Sequence, residues 1–252
     1  MYRMKYSFLF LTLLLLSACH TKIKQANEKG LEYMKQKQYK QAITEFDAIL
    51  SRNATWYPAY YNRAISYANN RQYQEALKDF TYLLTNFTGH ADSYFNRGIV
   101  YENLGCYANA IKDYSETIKL RPDFIMAYHY RGIARYRMND LDGALEDYNK
   151  ALQLGKNVQM DVVTAKEIGL NASAIYYNRG VIMQKKGNAP AAIQDYTEAI
   201  QIDPSSAKAY YNRAIAKMAI SKMDEARNDL EIASRLGYKP ATTVIQNYFQ
   251  KE

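Results

Sequence analysis

One five-residue pattern recurs along this chain and limits what it can fold into. It reads YYNRA at 60–64, YFNRG at 94–98, YHYRG at 128–132, YYNRG at 176–180 and YYNRA at 210–214. The starts lie 34, 34, 48 and 34 residues apart. A fixed period in this range marks stacked supersecondary units. A second pattern follows each copy: YQEALKDF at 73–80, YANAIKDY at 107–114, LDGALEDY at 141–148, APAAIQDY at 189–196 and MDEARNDL at 223–230. A further copy, YKQAITEF at 39–46, reveals a first unit with a more polar opening helix, which makes six units.

Each unit reads as two amphipathic helices. Tyr60, Ala64 and Tyr67 fall on one face at i, i+4, i+7. After Asn69-Asn70-Arg71, a second stripe carries Ala76, Leu77, Phe80, Leu83 and Leu84. Both spacings are helical. Pro58, Pro122 and Pro204 stand near the starts of opening helices, where proline is tolerated. A short turn sets the two helices antiparallel, and a lone pair cannot bury its faces, so neighbours must stack. Composition agrees: 25 tyrosines with only 5 prolines and 11 glycines favour a folded, helical chain.

These units resemble the tetratricopeptide repeat family over roughly residues 23–238. The resemblance rests on Tyr60, Tyr94, Tyr128, Tyr176 and Tyr210, and on the small residues Gly30, Ala64, Gly98, Gly132, Gly180 and Ala214. The alanines 42, 76, 110, 144, 192 and 226 match, as do Phe46, Phe80, Tyr114, Tyr148, Tyr196, Pro122 and Pro204. It implies an all-α fold, a right-handed superhelix (α-solenoid) whose concave groove is lined by the first helix of each unit. It also implies binding of proteins or peptides without catalysis. The expected bounds are 23–56, 57–90, 91–124 and 125–154, an inserted segment 155–171, then 172–206 and 207–238. Residues 239–252 are expected to cap the last unit, with Val244, Ile245 and Tyr248 at helical spacing. Gly155 and Gly169 bracket a short helix, Val158–Ile168, which is either a binding element or a neutral spacer.

The five residues of the motif cannot share one role, because neighbours on a helix are 100° apart. The first Tyr is expected in the core, and the small residue four later allows close helix approach. The arginine flanks that face and needs a partner, since a partly buried unpaired charge is costly. An aspartate lies sixteen residues after each: Arg63 and Asp79, Arg97 and Asp113, Arg131 and Asp147, Arg179 and Asp195, Arg213 and Asp229. The first unit changes both ends together, to Lys29 and Glu45. Structural ion pairs are expected, within a unit or between adjacent units; arginines reaching a ligand are the alternative.

The second aromatic faces elsewhere. Tyr61, Phe95, His129, Tyr177 and Tyr211 form a ladder with Asn62, Asn96, Tyr130, Asn178 and Asn212. Ile65, Ile99, Ile133, Val181 and Ile215 continue the same face, and Arg135, Tyr136 and Arg137 make the fourth unit more aromatic and basic. By the resemblance this ladder, with Tyr136 and Lys208, lines a groove for a protein or peptide. Aromatics supply contact area at low entropy cost, and amides can bond a peptide backbone. Packing between neighbouring opening helices is the alternative. Some family members clamp a peptide's terminal carboxylate with lysine, asparagine and arginine. Asn178, Lys208 and Asn212 match part of that set, but its arginine is missing, so that specificity is not carried over.

The first residues differ in kind. Arg3 and Lys5 precede an apolar run, Phe8 to Leu16, too short for the roughly 20 residues of a spanning helix. The layout is that of a secretory signal. Leu16-Ser17-Ala18-Cys19 resembles a bacterial lipoprotein lipobox, which implies removal of residues 1–18 and lipid on Cys19. An ordinary signal peptide is the alternative. Removal lowers the net charge of +8 by the two cations Arg3 and Lys5, and the rest is spread along the chain, so no nucleic-acid partner is expected. His20 after Cys19 points, by resemblance to enterobacterial sorting, to the outer membrane facing the periplasm. Cys106 has no partner once Cys19 is lipidated, and it is expected to be half-buried.

No CxxC, GxGxxG, GxxxxGK[ST], paired histidines or Gly-x-Ser-x-Gly occurs. No catalysis, cofactor, metal or small-molecule substrate is expected. The sequence therefore reads as a lipid-anchored envelope adaptor or scaffold for a protein or peptide partner. Alternatives are a structural subunit of an envelope secretion or assembly machine, and an adaptor regulating a peptidoglycan hydrolase or protease.

Overall fold

The computed structural model describes residues 21–157 and 172–249. Cys19, His20, the signal segment and the expected Val158–Ile168 helix lie outside the described residues. Among those described there are thirteen helices and no strand. Helix α1 covers 21–35 and pairs with α2, Tyr39–Leu50. The next hairpins are α3 (Tyr57–Asn69) with α4 (Tyr73–Asn86), and α5 (Ala91–Asn103) with α6 (Tyr107–Leu120). Then come α7 (Ile125–Arg137) with α8 (Leu141–Asn157), and α9 (Ala172–Lys185) with α10 (Ala189–Ile202). The last hairpin is α11 (Ala207–Met218) with α12 (Met223–Arg235), followed by α13 (Lys239–Tyr248). Two compact halves result, Met1–Leu120 with repeats 1–3 and Arg121–Glu252 with repeats 4–6 and α13. The expected all-α repeat fold is present. One boundary shifts: α8 runs on to Asn157, so Gly155 lies inside a helix instead of opening the insert.

The closing helices bury what the pattern assigns to them. Ala42, Ala76, Ala110, Ala144, Ala192 and Ala226 are fully buried. So are Phe46, Phe80, Tyr114, Tyr148, Tyr196 and Leu230. The ring sits against the small residue of the opening helix. A Cβ on Gly98 or Gly132 would come within 2.6 Å of Tyr114 or Tyr148, which excludes any larger residue without a shift.

On the opening helices the core differs from expectation by one residue. The fully buried position is the one before the first tyrosine: Ala59, Ser93, Ala127, Ile175 and Ala209. Ser66, Val100, Ala134, Ile182 and Ala216 join it seven residues on. Of the first tyrosines only Tyr128 is buried; Tyr60, Tyr94, Tyr176 and Tyr210 are half-buried. Each leans instead on the arginine three residues later, with guanidinium carbon to ring centroid distances of 5.3–5.8 Å. A cation held over a ring face is attracted by its quadrupole.

Every opening helix ends the same way. The backbone turns left-handed at Lys37, Arg71, Gly105, Asn139, Gly187 and Ser221, with φ between 58° and 78°. The next N–H bonds back across the turn, as Gln72 N to Tyr67 O at 2.8 Å and Cys106 N to Tyr101 O at 2.8 Å. This is the Schellman closure of a helix C-terminus. Cys106, expected to be half-buried, is exposed just past one such turn.

Candidate functional site

The motif arginines are staples between helices. Arg63, Arg97, Arg131, Arg179 and Arg213 each donate two hydrogen bonds to Asp79, Asp113, Asp147, Asp195 and Asp229, at 2.5–3.0 Å. The fork joins the two helices of one hairpin, and the aspartates are buried. Four of the arginines also reach back to the preceding closing helix. Arg63 meets Asp47 at 2.6 Å, Arg97 meets Thr81 at 3.3 Å, Arg179 meets Asn149 at 2.8 Å and Arg213 meets Thr197 at 3.1 Å. In repeat 1, Lys29 and Glu45 form the equivalent pair at 2.5 Å.

The residue four places after the arginine divides the repeats. In repeats 2 and 3 it is Tyr67 or Tyr101, and each ring lies 5.8 Å from the guanidinium carbon. In repeats 4 and 6 it is a second cation. Arg135 donates to Asp147 at 3.0 Å, and Lys217 donates to Asp229 at 2.8 Å. Burial pushes the carboxyls of Asp79 and Asp113 above the ordinary aspartate range, against the pull of Arg63 and Arg97. The sequence reading passed over Arg135 and Lys217 as members of these clusters. Comparing that one position across repeats would have found them.

The expected groove ladder divides as well. Phe95 and His129 are buried, at 9% and 7% exposure, so they do not line an open groove. Each packs on the closing-helix ring of its own repeat, Phe95 on Tyr114 at 5.7 Å and His129 on Tyr148 at 6.0 Å. Tyr61, Tyr177 and Tyr211 are half-buried; Tyr61 lies 6.3 Å from Phe80, and Tyr177 lies 5.9 Å from Tyr196. Tyr211 packs 5.1 Å from Tyr238 at the start of the cap.

Several amides bind the array internally. Asn96 donates to the Tyr61 hydroxyl at 3.0 Å, and Asn212 to the Tyr177 hydroxyl at 2.9 Å. Asn178 Nδ2 lies 3.5 Å from His129 Nε2. Asn96, Asn178 and Asn212 thus each meet the aromatic of the repeat before. These contacts give the alternative reading, packing between opening helices, much of the ladder. His129 Nδ1 is buried without a hydrogen-bond partner, and burial lowers the ring's pKa to about 4. The imidazole is therefore neutral near pH 7 and accepts from Asn178. Burial likewise raises the Tyr177 phenol.

Accessible chemistry remains at the outer edge of this face. Asn62, Tyr130, Tyr136 and Asn178 are half-buried, and Lys208 is exposed. Lys185 lies 5.6 Å from the Tyr136 ring centroid and donates to Asn139 Oδ1 at 3.0 Å. Among the described residues, no group of three or more His, Cys, Asp or Glu could hold a metal, and no helix is long and apolar enough to cross a membrane.

Helical hairpins of constant register, closed on one another by the same small residue and ring, define a tandem-repeat scaffold. Family models of the tetratricopeptide repeat match residues 58–90, 91–124, 125–158 and 185–220, more than half of the chain. The chain belongs to the tetratricopeptide repeat family. No curated protein matches it. Among solved structures, it is similar to the C-terminal part of a TPR repeat-containing protein from Cytophaga hutchinsonii. Identity is 17% and the TM-score 0.71, over 89% of this chain and 88% of that one. It is also similar to pilF of Pseudomonas aeruginosa, at 16% identity and TM-score 0.71, over 90% of this chain and 99% of that one. A third likeness is YrrB, described as a TPR protein with an unusual peptide-binding site. Identity there is 20% and the TM-score 0.59, over 73% of this chain and 88% of that one.

Proposed function

We propose that this protein is a non-catalytic adaptor or scaffold that binds a protein or peptide partner along its opening helices. The observation that carries this reading is the strip on α7, α9 and α11. Tyr130 and Asn178 stand there in the same repeat register, and Tyr136 and Lys208 stand at other positions of these helices, which are fixed by the arginine staples and by the Asn178 and Asn212 contacts. A rigid strip of aromatic and amide groups suits an extended chain, because little side-chain freedom is lost on binding. The peptide-binding site named for YrrB supports the same use of the fold.

The test is capture of partners from solubilised envelopes by wild type and by Tyr130→Ala/Tyr136→Ala. Loss of partners from a variant with an unchanged melting temperature supports the strip; unchanged capture sinks it. The insert that breaks the 34-residue period favours a second reading, a structural subunit of an envelope machine that docks through residues 158–168. Deleting those residues would then remove the partners while the tyrosine variant keeps them.

Attachment to a bacterial membrane through lipid on Cys19 completes the proposal, with the outer membrane favoured. It rests on the run Leu16-Ser17-Ala18-Cys19 behind a positive, then apolar, start. Cys19→Ser should release the protein from membranes. A Cys19→Ser protein that still sediments with membranes defeats the anchor.

A further inference from the structure

We infer that the opening-helix face of the second half takes an acidic, extended segment of its partner, held by Arg137 and Lys185. The inference rests on the groove reading above and adds the chemistry of the occupant. Arg137 and Lys185 occupy the same register on α7 and α9, at the C-terminal ends of the two helices. Both are exposed, as is Lys208 at the opposite end of the face on α11. Among the described residues none of the three meets a carboxylate within ion-pair distance. Nearby cations behave differently: Lys186 closes on Asp142 at 2.5 Å, and Arg135 on Asp147 at 3.0 Å. Lys185 is instead positioned by neutral groups, the Tyr136 ring and the Asn139 amide oxygen. Its charge is oriented without being neutralised.

Among the described residues, the register positions of this face in repeats 4–6 hold no acid. The matching positions of repeats 4–6 hold Met126, Tyr130, Ile133, Tyr136, Ala174, Asn178, Val181 and Gln184, then Asn212, Ile215 and Met218. The first half is mixed at the same register: Lys24 and Lys35 stand with Glu28, Asp92 and Glu102. Complementarity therefore selects a segment rich in Asp and Glu, and selects the second half to receive it. Carboxylates would reach Arg137 and Lys185 while the backbone passes the Asn178 amide and the Tyr130 and Tyr136 rings. Exposed pairs contribute little each and are screened by salt, so the preference must come from several acting together.

The experiment is fluorescence anisotropy with the purified chain and two labelled peptides. Each is about a dozen residues long, a length that spans several helices when extended. One is rich in Glu and Asp, and the other carries Gln and Asn in their place. The acidic peptide should bind about tenfold more tightly, a difference of about 1.4 kcal/mol, and lose that preference as salt rises. Arg137→Ala/Lys185→Ala should weaken the acidic peptide about fivefold to tenfold and leave the amide peptide unchanged. Lys24→Ala/Lys35→Ala in the first half should change neither. Equal affinity for the two peptides, or acidic binding untouched by Arg137→Ala/Lys185→Ala, overturns the inference. If both peptides bind equally and Tyr130→Ala/Tyr136→Ala weakens both, the groove reading stands without the acidic preference. If neither peptide binds and envelope capture ignores the tyrosines, both readings fail.

Discussion

Repeats 3 and 4 hold the same buried aspartate by different means. Asp113 meets one arginine, Arg97, which lies between the rings of Tyr94 and Tyr101. Asp147 meets two, Arg131 and Arg135, and Arg135 stands where repeat 3 has Tyr101. The hydrocarbon core around them is unchanged, since Gly98 with Tyr114 and Gly132 with Tyr148 close the hairpins alike. Packing fixes where the helices lie, and the polar cluster is free to vary as long as the carboxylate is never left alone. That freedom lets the second half gather cations that the first half lacks.

Removing the arginine tests this most severely. Arg97→Ala should lower stability by about 3 kcal/mol, because Asp113 stays buried with no cation. Arg131→Ala should cost about half as much, because Arg135 remains on Asp147 at 3.0 Å. Equal losses in thermal melts would break the comparison. Tyr101→Arg sharpens it: in that background the Arg97→Ala loss should shrink toward the repeat 4 value. Gly98→Ala and Gly132→Ala ask whether the core is shared. Each new methyl meets a ring carbon at 2.6 Å, so each should cost about 1–3 kcal/mol, by equal amounts.

A third test exchanges His129 for the phenylalanine that repeat 3 carries as Phe95. The folded-state pKa of His129, about 4, is depressed below its ordinary 6.5. The unfolded chain therefore binds a proton between these values while the folded chain does not. This group's share of stability is complete above about pH 6.5 and falls as pH drops toward 4, by about 3 kcal/mol. His129→Phe should remove that share of the fall, read as a smaller drop in melting temperature from pH 7 to 4.5. A variant that tracks wild type would show that the imidazole titrates freely. Smallest of all is the expected effect of Arg137→Ala/Lys185→Ala on stability, within about 0.5 kcal/mol. A larger loss would make Arg137 a structural residue like Arg131.

The closing helices were legible because their alanines and rings recur in phase, and burial follows that phase at every copy. The ion pairs were legible because repeat 1 changes both partners, to Lys29 and Glu45. Which of two adjacent aromatics faces inward was not, since neighbours 100° apart flank the buried face and the outcome varies: Phe95 and His129 are buried, whereas Tyr61, Tyr177 and Tyr211 are half-buried. The arginine draws Tyr60 and its equivalents toward the guanidinium, and the residue before them takes the core. Phe95 and His129 were assigned to a groove because aromatic rings suit both a ligand and a closing-helix ring. Contacts between successive opening helices, such as Asn212 with Tyr177, depend on how closely two repeats approach, and no single repeat encodes that.

The backward reach of the arginines bears on how such a chain could lengthen. Repeats 2 and 5 each carry a donor for the repeat before and an acceptor for the repeat after: Arg63 with Thr81, and Arg179 with Thr197. A tandem copy of such a repeat would bring both halves of that link with it. The junctions on either side would then close without a compensating substitution, so growth by duplication meets little resistance from the polar clusters.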